Sequence, residues 1–166
     1  MRRSVVTLLT AVLLAALSLP SGAAAARPAD PYVSRVTGTA RWVTDSDGGR
    51  SYYVLWVTLY ARNVTTANTE CVTVTYPDGT RNASSGTTFP RVARGAEASV
   101  DLQLLEIPLT ASRVTVTAQV MRLSAKGCCI PVGTQRVFTS DLPVPPPPPP
   151  AVSAPVPVFD RQYSAP

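Results

Sequence analysis

The chain has 166 residues, 15 Lys and Arg against 10 Asp and Glu, a net charge of +5 and no histidine. Without histidine there is no Ser-His-Asp triad, no Cys-His pair and no histidine-ligated catalytic metal. The positive charges are scattered, with no run of three, unlike the patch or stripe of a nucleic-acid binder, and a nucleic-acid partner is set aside.

Arg2 and Arg3 precede an apolar run from Val5 to Leu19 broken only by Thr7, Thr10 and Ser18, and residues 20–26 end in small side chains. That order predicts a secretory signal peptide over 1–26, cut after Ala26. The run falls short of the roughly 20 residues of a membrane helix, and no second one follows, so the mature chain is expected to keep no stable membrane span. The expected location is secreted, extracellular or cell-wall associated. The arginine pair also fits twin-arginine export, although ordinary signals often start this way. Lys126 is the sole lysine, and with abundant Ala, Val, Thr and Pro the composition resembles that of a GC-rich bacterium.

Residues 27–141 are expected to form one domain. Apolar residues there recur with period two between turn residues, which predicts strands. The first covers 32–43, and "TDSDGGRS" turns it onto 51–62. The next covers 70–76, ended by "PDGT", followed by short strands over 87–92 and 98–107, then 113–123, and a last one around 128–139. About seven short strands in about 110 residues predict an all-β chain folded as a single immunoglobulin-like β-sandwich.

The second strand, "SYYVLWVTLYAR", separates two faces. Tyr53, Leu55, Val57 and Leu59 form an apolar series that belongs in the core. Tyr52, Val54, Trp56, Thr58 and Tyr60 lie opposite. Aromatics four apart on a strand lie about 13 Å from each other, which lets Tyr52, Trp56 and Tyr60 stack on separate sugars of an extended polysaccharide. The competing reading makes them ordinary packing residues of a sheet.

In "AKGCCIPVG", strand alternation sends Cys128 and Cys129 to opposite faces. Cys128 shares parity with Ile130 and Val132, which suggests the core side, and Cys129 with Pro131 and Gly133. Cys71 falls in the outer set with Thr73 and Thr75. Parity therefore predicts a Cys71–Cys129 disulfide, which would stabilise the domain by roughly 4 kcal/mol. Cys128 is left as the free thiol, either an inert buried side chain or a reactive or intermolecular one. A bond between the adjacent cysteines is strained, because a trans peptide holds their Cα atoms about 3.8 Å apart. Zinc is disfavoured for want of ligands.

Asp45 and Asp47 are the nearest approach to an acid/base pair, yet they sit beside two glycines in a turn, where exposed carboxylates are common. The same "DSDGG" lacks the later glutamate of a calcium loop. No catalytic residue, metal or cofactor is expected. Asn63-Val64-Thr65 and Asn82-Ala83-Ser84 match the glycosylation acceptor pattern, read here as coincidence.

From 142 to 166 too few apolar side chains remain for a core. Pro145 to Pro150 should form a polyproline II spacer at about 3.1 Å per residue. A disordered proline-rich tail is expected, with Phe159 and Tyr163 as the side chains that would dock if any did.

The progression "LYARNVTTANTECVTVTYPDGT", "RVARGAEASVDLQL" and "SRVTVTAQV" resembles bacterial extracellular immunoglobulin-like modules of the CARDB-like and surface-repeat families. The resemblance covers about two thirds of the mature chain and implies a secreted or surface-displayed scaffold without catalytic residues. The expected function is an exported, non-enzymatic structural or protein-binding module of the cell envelope or extracellular space. The alternative is a carbohydrate-binding module that uses Tyr52, Trp56 and Tyr60. The partner is accordingly an unknown protein or a cell-surface polysaccharide.

Overall fold

A computed structural model describes residues 30–44, 49–64, 68–126, 129–145 and 152–166. Among them there is no helix, and eight strands run in chain order: β1 (Tyr32–Thr44), β2 (Ser51–Arg62), β3 (Asn68–Thr75), β4 (Arg81–Thr88), β5 (Glu97–Pro108), β6 (Arg113–Leu123), β7 (Cys129–Asp141) and β8 (Val156–Gln162). They form two four-stranded antiparallel sheets, β5-β2-β1-β8 and β4-β3-β6-β7, whose inner faces share one core.

Alternation places the core. On β2, Tyr53, Leu55, Val57, Leu59 and Ala61 are buried, and on β6 Val114, Val116, Ala118 and Val120. On β1 an unbroken alternation from Val33 would send Arg35 and Thr37 inward. A bulge at Ser34, between the registers Val33↔Ala61 and Arg35↔Tyr60, resets the parity. Val36, Ala40 and Trp42 then face the core, and Arg35 is left outside, as a one-residue slip requires.

Two expectations are corrected. The fourth strand lies at Arg81–Thr88, not over 87–92; Phe89, 1% exposed, is a core anchor just beyond its end. Part of the expected tail is a strand. Residues 156–162 make β8, which pairs with β1 through Arg35↔Gln162, Thr37↔Asp160 and Gly38↔Phe159, and an isolated bridge joins Val152 to Val43. The sheet thus extends past the expected boundary at 141/142 and has an eighth strand. Prolines do not forbid it, because β8 is an edge strand and Pro157 follows directly on the bulge in this pairing.

Phe159 explains why β8 docks. Its ring lies over Gly38, where any Cβ would collide with it, and only 8% of the residue is exposed. It meets Phe138 of β7 edge-on, with ring centroids 5.0 Å apart. The two rings close the side of the molecule where β7 and β8 approach each other, and Ser140 Oγ donates to Val158 O at 3.1 Å. Full burial of such a side chain stabilises by about 1.5–3 kcal/mol.

Candidate functional site

The outer face of the β5-β2-β1-β8 sheet carries all three aromatics singled out on β2. Tyr52, Trp56 and Tyr60 are half-buried there, with Thr58 between the last two, whereas Val54, expected beside them, is only 4% exposed. β2 is an inner strand of its sheet, so each ring has neighbours on both sides. Trp56 sits between Thr39 of β1 and Gln103 of β5, and Tyr60 between Arg35 and Ser99.

Sequence reasoning missed the arginines on these rings. The Arg41 guanidinium lies 4.6 Å from the Trp56 centroid, and that of Arg35 lies 5.3 Å from the Tyr60 centroid. Both are cation–π contacts. Arg35 also grips Asp160 of β8 with two hydrogen bonds, Nε to Oδ1 at 2.8 Å and Nη2 to Oδ2 at 2.6 Å. That fork holds the Asp160 carboxyl below the usual carboxylate range and raises the Arg35 guanidinium further. Tyr60 of β2, Arg35 of β1 and Asp160 of β8 therefore form one chain across three strands. A signal for it did exist in the β1 sequence, where Arg35 and Arg41 alternate with core residues, but their partners lie on other strands.

Below this face, at the end where β1 begins, a polar cleft of about 320 Å³ is lined in part by Ser34, Arg62, Glu97 and Tyr163. Its charges are internally paired. The hydroxyl of Ser34, the buried residue at the bulge, donates to Glu97 Oε2 at 2.7 Å, and Arg62 Nε lies 3.4 Å from the same oxygen. Tyr163 packs under Arg136, centroid distance 4.7 Å, and burial pushes its phenol up. At the opposite end an apolar cleft of about 220 Å³ lies beside Tyr53, Leu109 and Leu142, where the Tyr53 hydroxyl donates to Pro143 O.

The cysteine expectations fall largely outside the described residues. Cys128 lies outside them entirely, and so do the side chains of Cys71 and Cys129. The backbone register does locate the last two: Cys71 is opposite Gln119 on one side of β6, and Cys129 is opposite Leu123 on its other side. With β6 between them they are about 10 Å apart across the sheet alone, beyond the roughly 7 Å that a disulfide spans. Ile130, expected on the core side with Cys128, is 49% exposed. Asp45 and Asp47 also lie outside the described residues. Among those described, no three metal-ligating side chains cluster, and no helix is long and apolar enough to cross a membrane.

A comparison of the chain with protein-family models, with curated proteins and with solved structures finds no match in any of the three.

Proposed function

We propose that the chain is an exported, non-enzymatic structural or protein-binding module of the cell envelope or extracellular space, built on an immunoglobulin-like sandwich. The strand order supports the fold. With β1, β2 and β5 taken as A, B and E, and β3, β6 and β7 as C, F and G, A-B-E and C-F-G are each neighbours, with β4 beside C as the variable-type C′. β8 is an addition to that plan at the edge of A. The amino-terminal sequence supports export.

The observation that carries a scaffold role is the state of the aromatic face. Rings that stack on sugars need an open face. Here guanidiniums cover Trp56 and Tyr60, and one of them is clamped to β8. The contacts are spent on joining three strands of the molecule to one another.

Carbohydrate binding is the second reading, favoured by three half-buried aromatics on a single face of one strand. It requires Arg41 to swing off Trp56. Sedimentation with insoluble cellulose, chitin and peptidoglycan separates the two. A scaffold stays in the supernatant with all three. Pelleting that is lost in Trp56→Ala, with circular dichroism unchanged, would replace it with the carbohydrate reading.

A further inference from the structure

We propose that the polar cleft at the start of β1 is a saccharide subsite, in which Glu97 and Arg62 hold two neighbouring hydroxyls of a single sugar ring. This goes beyond the module reading above, which neither needs the subsite nor falls with it.

The cleft is assembled from one cross-strand row and one irregularity. Tyr32 of β1, Arg62 of β2 and Glu97 of β5 stand opposite one another across three strands. The bulge takes Ser34 out of the β1–β2 register, and the hydroxyl of this residue, only 8% exposed, donates to Glu97 Oε2 at 2.7 Å. Bulges often stand beside functional sites, where they re-aim a side chain. This one supplies a hydroxyl that fixes a carboxylate. Arg62 Nε lies 3.4 Å from the same oxygen. Because these contacts use Oε2 and Nε, among the described residues Glu97 Oε1 and the two Nη groups of Arg62 are left for a ligand. The far wall is the chain that follows β8. Tyr163 N donates to Ser34 O at 2.8 Å and Arg136 Nη2 to Ser164 O at 2.8 Å, so that wall is tied to both β1 and β7. The cleft is therefore pre-formed, as small-molecule sites usually are.

The chemistry selects a neutral polyol. The charges at the cleft are already matched, Arg62 with Glu97 and Arg35 with Asp160. A simple anion or cation would have to break one of these pairs. Two neighbouring hydroxyls break neither: one donates to Glu97 Oε1 and the other accepts from an Arg62 Nη, both as charge-assisted hydrogen bonds. Gln162, opposite Arg35 in the β1–β8 pairing, adds an amide that can both donate and accept. Half-buried Tyr32 offers an apolar ring to the C–H groups of the sugar. At about 320 Å³ the cleft lies at the lower end of the roughly 300–1,000 Å³ of small-molecule sites, which suits the end of a glycan and not a run of sugars along it. Insoluble polysaccharides expose few such ends, so the subsite does not by itself pellet the chain.

The test is an amide chemical-shift titration of the isotope-labelled full chain with glucose, galactose, mannose, arabinose and N-acetylglucosamine. At least one sugar should give saturable shifts centred on residues 32–35, 62, 97 and 162–165. Glu97→Gln keeps the shape and removes the charge, and should weaken that sugar about tenfold or more. Should Glu97→Gln fail to fold, Arg62→Lys, at the exposed end of β2, keeps the charge and loses the fork, and should show a loss of the same order. No shift with any of these sugars, or binding that the folded variant leaves intact, overturns the subsite and leaves the module reading standing. Shifts centred instead on Trp56 and Tyr60 also overturn it, and together with pelleting lost in Trp56→Ala they would replace the module reading as well.

Discussion

Two glycines mark where backbones come too close for a side chain. Gly133, in the bulged stretch of β7, has φ +70°, and a Cβ there would collide with Pro31 O at the start of β1. It ties the amino-terminal end of one sheet to the edge strand of the other. Gly133→Ala should cost about 2 kcal/mol or more, since the left-handed conformation alone costs a non-glycine residue about 1–2 kcal/mol. Urea unfolding should show a lower midpoint with an unchanged slope; an unchanged midpoint would mean that the contact is not formed. Gly38 differs, because its backbone is ordinary and only the Phe159 ring forbids a side chain. Neither role was legible from the residues themselves. In the sequence Gly38 is one small residue between two threonines, and what lies against it is supplied 121 positions later.

The elements most legible in the sequence were those whose side chains alternate strongly. β2 was read at its observed bounds, and β1, β5 and β6 to within one residue, because each buries every second side chain in the core. β4, "RNASSGTT", is a strand by virtue of its pairing with β3 and carries no apolar pattern to announce it. β8 was hidden differently: its seven residues were averaged into a proline-rich stretch, although Val156, Val158 and Phe159 were enough once an open edge was there to receive them. Phe159→Ala should cost about 3 kcal/mol, the lower end for loss of a buried phenylalanine, and should raise amide exchange along the β1 edge more than in β6. Uniform loss of protection would show instead that β8 is inseparable from the global fold. Acid should act on the same element. Asp160 titrates below its usual range in the folded protein, so its contribution is complete above the unfolded value, near pH 4, and is lost as pH falls through the folded one. Exchange at the β1 edge should therefore rise below about pH 4 in the wild type, and Asp160→Asn should already show faster exchange at neutral pH with a flatter acid limb. The effect is modest, since both partners are about half exposed.

At the scale of the whole molecule, parity and adjacency are separate pieces of information, and the cysteines show the difference. Alternation can assign two residues to the same face of a sheet, but it does not say which strands stand between them. The chain returns to the second sheet through β6, and β6 takes the place between β3 and β7. Cys71 and Cys129 are consequently on its two flanks, opposite residues four apart along it, about 13 Å in strand rise besides two strand widths. In a Cys128→Ser variant, which retains only this pair, intact mass after alkylation without reduction should show two added groups, and a tryptic digest should contain no cross-linked peptide. A single species with neither thiol alkylated, returning both on reduction, would mean that β7 does not pair with β6 in this register. Because β7 also carries Phe138, the partner ring of Phe159, that outcome would remove the closure between the two sheets on which the docking of β8 depends.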